Sequence, residues 1–486
     1  MKEIIGRKQE QKQLQKILDS KDPAFLAIYG RRRIGKTYLT KNFFKNKGLF
    51  FHLTGIQDAP LDVQLQNFAV EFSDVFLKGK TLKKPKDWFA AFQLLRKAIE
   101  DVPKDTKTIV FFDELPWLST PRSLFLQALE HLWNRYLSEA SNIILIVCGS
   151  AASWMIENII NNKGGLHGRV TKEMRLLPFT LRETEEFLHS KQIHLDRKQI
   201  IELYMCLGGV AKYLSYLEKG KSAAQLIGEL CFTYNAPLIS EFHKLYRSLF
   251  LQYEEHEAIV KALSKSRMGL SSQELLKKTG LSTGGTFSKR IHELMQSGFI
   301  AEISSFEESE SARRYLLIDE YSLFYLTWNA GVSALDLQNR GPDYWMKQRN
   351  SQAWKAWTGH AFECLCLKHL ENIKASLGLG AVQTKTSKWK YIPPKGSKES
   401  GAEIDLVIDR ADQCINLCEI KFYEDLFSID KEYSEKLCRK KECFERITKT
   451  RKPTFLTLIT TQGTKHNSYY DAIIQQEVNM DSLFLS

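Results

Sequence analysis

At 486 residues the chain exceeds the size at which one hydrophobic core stops growing, so about three or four domains are expected. Lysine and arginine outnumber aspartate and glutamate 69 to 57, and the resulting charge of +12 favours a polyanionic partner, although it is spread along the chain and forms no basic tail. No apolar window is long enough for a bilayer and residues 1–7 lack the apolar core of a signal peptide, so a soluble cytoplasmic protein without a membrane partner is expected.

The first stretch, residues 1–179, reads as α/β. Apolar strands at Ala24–Tyr29, Leu49–Leu53, Thr108–Phe112 and Ile143–Cys148 alternate with helical patterns such as Glu10–Asp19 and Ser123–Tyr136, which implies a parallel sheet covered on both faces. The first strand closes with Gly30-Arg31-Arg32-Arg33-Ile34-Gly35-Lys36-Thr37, the G-x-x-x-x-G-K-T pattern of a P-loop, and a helix-compatible run follows. Its glycines let the backbone curl into a ring of N–H donors, Lys36 reaches the β/γ-phosphates, and the Thr37 hydroxyl ligates Mg²⁺. The third strand ends in Asp113-Glu114, placing one carboxylate beside Mg²⁺ and the other where it activates water. Ser150 follows the fourth strand and is expected at the γ-phosphate or the attacking water. Arg169, in the glycine-bounded Leu166-His167-Gly168-Arg169, is a candidate arginine finger acting in cis or on a neighbouring subunit. Hydrolysis of ATP is the expected chemistry.

Residues 180–249 turn helical, with amphipathic candidates at Arg182–Ser190, Arg197–Cys206 and Lys212–Glu218 and a Gly208-Gly209 break. Residues 250–320 carry three short helices, Glu255–Ser264, Ser272–Thr279 and Thr286–Ser297. Two strands follow, Phe299–Ser304 and Arg313–Ile318, around an acidic turn at Glu307-Glu308-Ser309-Glu310. That order predicts a winged helix-turn-helix, whose third helix would offer Lys289, Arg290 and His292 to a major groove or else serve as a protein spacer.

The remainder, residues 321–486, opens with the aromatic Tyr321–Trp328 and a helix around Ala353–Leu370. A hairpin of Glu403–Asp409 with Cys414–Phe422, a helix Glu432–Thr448 and a strand Thr454–Ile459 follow, with Thr386–Ser400 read as a loop. Six of the nine cysteines fall here, at 364, 366, 414, 418, 438 and 443. None forms the C-x-x-C pair of a metal cluster, so they read as small core residues of a reducing compartment. Glu419 and Lys421 are two apart on one strand and share a face, and the hairpin folds the strand bearing Asp405 against them. Taken alone, this pattern reads as a half-buried strand with an exposed E-x-K ion pair.

Together, Ile5-Gly6-Arg7 with Glu10 and Leu14, the arginine-rich P-loop, Phe112-Asp113-Glu114, Cys148-Gly149-Ser150, His167-Gly168-Arg169 and Gly208-Gly209 resemble the archaeal-type ATPase family of AAA+/STAND-related P-loop NTPases. The resemblance implies that Gly6 and Arg7 line an adenine pocket; Ala211 departs from the family's proline after Gly-Gly-x. A winged helix and a domain similar to the PD-(D/E)XK nuclease superfamily often follow in this family. Here Asp405 in Gly401-Ala402-Glu403-Ile404-Asp405, Glu419-Ile420-Lys421 and Glu363 on the preceding helix carry that similarity, with Ile404 replacing the proline; the resemblance implies that Asp405 and Glu419, with Glu363, hold Mg²⁺ while Lys421 positions water or steadies charge on a phosphodiester. The implied architecture is a P-loop core with helical lid, a winged helix and a restriction-endonuclease-like α/β domain. Its cofactors would be ATP and Mg²⁺, its partner DNA, and its assembly a monomer or a homo-oligomer. Two functions fit: an ATPase on DNA with a Mg²⁺-dependent nuclease domain, or an ATP-driven switch whose distal modules bind partners without cleavage. A chaperone-like ATPase is less favoured, since no aromatic-glycine pore loop follows the second strand.

Overall fold

Alternation along the first strand sets the layering of the N-terminal part of the protein. In the computed structural model, which describes residues 3–306, 313–341, 343–349, 351–394, 396–397 and 399–485, β1 (Ala24–Tyr29) is buried along its whole length. Phe25 and Ala27 point into one core with side chains of α3 (Leu61–Phe76), α4 (Trp88–Glu100) and α5 (Phe125–Arg135). Leu26 and Ile28 point into the other, with α1 (Lys8–Asp19) and α2 (Lys36–Phe44). Continuous burial on both faces is what a parallel sheet sandwiched by helices requires. β2 (Leu49–Thr54), β3 (Thr108–Asp113), β4 (Ile143–Gly149) and β5 (Lys172–Arg175) complete an all-parallel sheet in the order β2-β3-β4-β1-β5. Four strands fall where the apolar runs predict them. The sequence Lys-Glu-Met-Arg of β5 has no such signal; it is an edge strand with only Met174 buried, held by pairing to β1.

Two compact units, Met1–Pro178 and Phe179–Ser486, make up the chain. The second begins with α6 (Leu181–Ser190), opened by a capping box between Thr180 and Glu183, and α7 (Arg197–Leu207). The helix expected over Lys212–Glu218 is a single turn, Ala211–Leu214, because Leu217-Glu218 leave the helical path before Gly220. At Gly209 an added Cβ would lie 1.9 Å from the Phe179 carbonyl, so only glycine permits this approach, sealed by Phe179 N–H donating to the Gly209 carbonyl at 2.7 Å.

The next segment holds α8 (Tyr253–Leu263), β6 (Leu270–Ser271), α9 (Ser272–Thr279), α10 (Gly285–Gln296), β7 (Ile300–Ser305) and β8 (Arg314–Leu317), with β7 and β8 antiparallel and β6 pairing β8. The expected acidic turn at 307–310 lies outside the described residues. After α11 (Glu320–Trp328) and α12 (Gln352–Lys368) come β9 (Thr384–Tyr391), β10 (Ala402–Arg410), β11 (Ile415–Lys421), β12 (Phe427–Ser428), α13 (Lys431–Thr448), β13 (Thr454–Thr460), β14 (Thr464–Lys465) and β15 (Gln476–Val478). The loop expected over Thr386–Ser400 therefore begins as strand. Its Thr-Lys-Thr-Ser-Lys-Trp-Lys-Tyr sequence looks polar, but pairing with β10 draws Ser387, Lys388 and Trp389 into the interior. β7 also pairs in parallel with β9, Ser304 opposite Ser387 and Ser305 opposite Lys388. Three-helix hairpin and C-terminal strands thus share one sheet, ordered β15-β13-β11-β10-β9-β7-β8-β6. No helix among the described residues is long and apolar enough to cross a membrane.

Candidate functional site

The glycine-rich loop leaves β1 at Gly30, whose φ of 146° and closeness to the Leu176 carbonyl, 2.1 Å from an added Cβ, admit no side chain. It re-enters regular structure at Gly35 (φ 96°), the cap of α2. Lys36 is 5% exposed, and its ammonium donates to the carbonyls of Gly30 (2.8 Å) and Arg31 (2.9 Å), drawing the two ends of the loop together. The Thr37 hydroxyl donates to Asp113 Oδ2 at 2.7 Å. Asp113 ends β3; burial favours its neutral form, yet the nearby His52 and the hydrogen bond from Thr37 outweigh this and hold its carboxyl below the usual range. Glu114 adopts a left-handed conformation (φ 47°), and its carboxylate accepts the Ser150 hydroxyl and the Ser150 N–H (3.1 Å). Strand ends β1, β3 and β4 so gather Lys36, Thr37, Asp113, Glu114 and Ser150, as a parallel sheet presents ligands at its carboxyl edge. A cleft of about 770 Å³ lined by Thr37, Tyr38, Lys41, Asn42, Lys45 and Phe50 opens beside them.

Other residues of the motif have different surroundings. Arg7 is 5% exposed and donates to the carbonyls of Leu177 (2.7 Å) and Ile34 (3.3 Å) while pairing with Glu10 (3.4 Å), so it fastens the loop to the chain leaving β5. Gly6 accepts from Gln11 Nε2 at 2.7 Å. Arg31 is buried, Arg32 lies over the Trp117 ring at 5.5 Å, and Arg33 has φ 72° in the tip of the loop. Ile34 is buried against the core below. Arg169 is exposed on a loop braced by Asn134 Nδ2 donating to the Gly165 carbonyl (2.8 Å). His52 is an addition: it ends 3.9 Å from Asp113 Oδ2, 3.0 Å from the Thr54 hydroxyl, and stacks on Phe111. Its place near the carboxyl end of a strand neighbouring β3 was the available signal.

The second cluster is built on β10 and β11. Leu406 pairs with Cys418 across the hairpin, which sets Asp405 level with Glu419. Asp405 Oδ2 accepts the Ile420 N–H at 2.8 Å. Glu419 is 5% exposed; its Oε1 accepts from Lys421 (2.8 Å) and Tyr433 (2.9 Å) and its Oε2 from Lys440 (2.6 Å). Glu363, on α12, is buried and accepts from Lys388 of β9 at 3.1 Å, and Lys388 also donates to the Arg267 carbonyl at 3.0 Å. Burial raises the Asp405 carboxyl, and the charges of Glu419 and Glu363 push it further than Lys421 draws it back. Glu419 moves the opposite way: burial opposes its charge, but Lys421 and Lys440 hold it well below the carboxylate range. Lys388 thus serves Glu363, Lys421 and Lys440 serve Glu419, and around Asp405 negative charge outweighs positive. Lys388, Tyr433 and Lys440 are additions to the expected set: Lys388 falls in the stretch expected as loop, and Tyr433 and Lys440 lie on the expected helix Glu432–Thr448, which carries none of the expected site residues.

Among the described residues no group of three or more His, Cys, Asp or Glu stands ready to hold a metal ion. Mg²⁺ keeps several waters and needs one or two protein carboxylates plus substrate oxygens, so Asp405 and Glu419 fit it without a cage. On α10, Arg290 corrects an expectation. It is 9% exposed and bonded to Glu255 (2.9 Å) and Glu293 (3.2 Å), which removes it from any groove-facing surface; Lys289 and His292 are exposed.

Residues 5–217 match a family described as an ATPase domain predominantly from Archaea. An uncharacterized protein of Methanocaldococcus jannaschii is 29% identical over 212 residues, covering 43% of this chain and 43% of that protein, so the match spans less than half of the relative. Among solved structures, a Walker-type ATPase of Pyrococcus abyssi aligns with a TM-score of 0.48 at 18% identity, over 66% of this chain and 96% of that one. The ORC2 protein of Aeropyrum pernix aligns with 0.41 at 16% identity, over 72% and 96%. Residues 5–217 are thus similar to an ATPase domain of the archaeal type, and they include the parallel sheet with the P-loop at its carboxyl edge.

Proposed function

We propose that the protein is an ATPase acting on DNA, with a metal-dependent nuclease-like site in its C-terminal part. In the N-terminal unit, Lys36 and the loop N–H groups bind the phosphates of ATP, Thr37 and Asp113 hold Mg²⁺, and Glu114 serves as general base. Ser150 orients Glu114 through two hydrogen bonds to its carboxylate. Arg169 completes the site of a neighbouring copy, its exposed guanidinium supplying charge to the γ-phosphate in trans. The segment from α8 to β8 has the helix order and hairpin of a winged helix and lies against DNA through groups other than Arg290.

The observation that carries the nuclease reading is the imbalance around Asp405. Three carboxylates and three lysines converge; among the described residues the lysines bond Glu363 and Glu419, none of them is bonded to Asp405, and Lys421 offsets only part of the negative charge around it. A divalent ion offsets the remainder and polarises a phosphodiester when bound. Asp405 and Glu419 would hold it, with Glu363 assisting and Lys421 facing the phosphate. One observation favours the switch alternative: every oxygen of Glu419 already has a donor.

One set of reactions separates these readings. Plasmid and single-stranded DNA are incubated with Mg²⁺ or Mn²⁺, with and without ATP, using wild type, Glu114→Gln and Asp405→Ala. Glu114→Gln should bind ATP yet lose at least about a hundredfold in turnover while still cutting, and Asp405→Ala should keep turnover and lose cutting. If wild type hydrolyses ATP but leaves every DNA form intact with both metals, the switch reading replaces the nuclease.

A further inference from the structure

We propose that Lys440 is a built-in occupant of the divalent-cation site, holding Glu419 Oε2 in the metal-free protein and giving that oxygen up when the cation binds. The inference rests on the metal-site reading of Asp405 and Glu419 and adds a residue to it.

The two oxygens of Glu419 are held differently. Oε1 accepts from both Lys421 and Tyr433, whereas among the described residues Oε2 accepts from Lys440 alone, at 2.6 Å. Lys421 follows Glu419 by two residues on β11, so the strand itself keeps the two together. Tyr433 is fixed by packing, edge to face against Phe427 with centroids 5.3 Å apart. Lys440 comes from another element, α13, seven residues after Tyr433 and therefore two turns along the same helix face. Its long unbranched side chain is 15% exposed, which lets the ammonium leave the carboxylate for water or for an anionic phosphate without moving the helix. An ammonium and a divalent cation cannot occupy the same carboxylate lone pairs. Oε2, with its single removable donor, is the oxygen to vacate, while Oε1 stays anchored and preserves the orientation of the group. Lys388 provides the contrast: it is 3% exposed, tied to both Glu363 and the Arg267 carbonyl, and has no route out.

Competition has a clear thermodynamic sign. Removing the ammonium removes a competitor, so the cation should bind more tightly, whereas a lysine that merely shaped the site would leave affinity unchanged or weaken it. The test is Mn²⁺ binding to the nucleotide-free full chain, followed by electron paramagnetic resonance of the free ion. Four proteins are compared: wild type, Lys440→Met, Asp405→Asn and the double variant, with Lys440→Arg as a fifth that restores the charge and urea unfolding as the check on folding. Wild type should show a site that Asp405→Asn abolishes. Lys440→Met should bind Mn²⁺ about tenfold more tightly at that site, as expected for losing one charged hydrogen bond. The gain should vanish in the double variant, and Lys440→Arg should return affinity towards wild type. Equal or weaker binding by a folded Lys440→Met overturns the displacement and leaves the metal-site reading standing. Absence of any Asp405-dependent Mn²⁺ binding in wild type and Lys440→Met overturns both.

Discussion

Replacing Lys388 by methionine tests whether the buried charge cluster of the C-terminal unit is organised as its geometry states. Lys388 and Glu363 lie 3.1 Å apart with side chains 3% and 9% exposed. At that separation, an effective dielectric of about 20 gives an attraction of about 5 kcal/mol, opposed by the desolvation both groups bear in the folded state. Lys388→Met keeps the aliphatic stem but leaves the Glu363 carboxylate buried and uncompensated and the Arg267 carbonyl without its donor. Breaking a buried pair from one side typically costs about 3–5 kcal/mol, whereas replacing both charges is nearly neutral. Lys388→Met should therefore destabilise the second unit by about 3 kcal/mol or more, and Lys388→Met with Glu363→Gln should recover about half of the loss. Urea-dependent hydrogen exchange, read on peptides from β9 and α12, reports this unit separately from the ATPase domain. A single-variant loss below about 1 kcal/mol, or a double variant no better than Lys388→Met, would refute the pairing.

Two further outcomes are expected. If Arg169 acts in trans, ATPase specific activity should rise with protein concentration, and Arg169→Ala mixed with Lys36→Ala should regain turnover; concentration-independent turnover by a demonstrated monomer would give Arg169 a cis or structural place. His369 should make the second unit acid-labile. Its Nε2 accepts the Leu181 N–H at 3.3 Å and its Nδ1–H donates to the Leu365 carbonyl at 2.9 Å, so burial and these partners fix one neutral tautomer. Burial lowers its pKa to about 4, against the raising effect of the Leu365 bond. Above about pH 6.5 the ring is neutral in folded and unfolded chains alike. As pH falls from there towards 4 only the unfolded chain takes up the proton, so stability is lost across that window by about 3 kcal/mol. His369→Asn should flatten the pH dependence of the urea midpoint between pH 6.5 and 4.5, and an unchanged slope would refute the assignment.

Local chemistry made much of the molecule legible in the amino-acid order alone. A P-loop is a contiguous backbone device, so Gly30, Gly35, Lys36 and Thr37 announce it without knowledge of what surrounds them, and β1 falls on the apolar run that precedes it. Alternation on a strand likewise places Glu419 and Lys421 on one face, and the short β10–β11 hairpin brings Asp405 beside them. What only the tertiary structure decided are features made by pairing between distant segments. β5 and β9 are polar sequences that become strands because β1 and β10 offer them hydrogen bonds, an interaction with no local signature. Arg290 looks like a groove-facing residue until Glu255 and Glu293, brought close by helix packing, claim its guanidinium. The charge balance around Asp405 belongs to the same class. It depends on Lys388 and Lys440, which arrive from other elements, and electrostatic environment is a property of neighbours in space, which residue spacing along the chain does not encode.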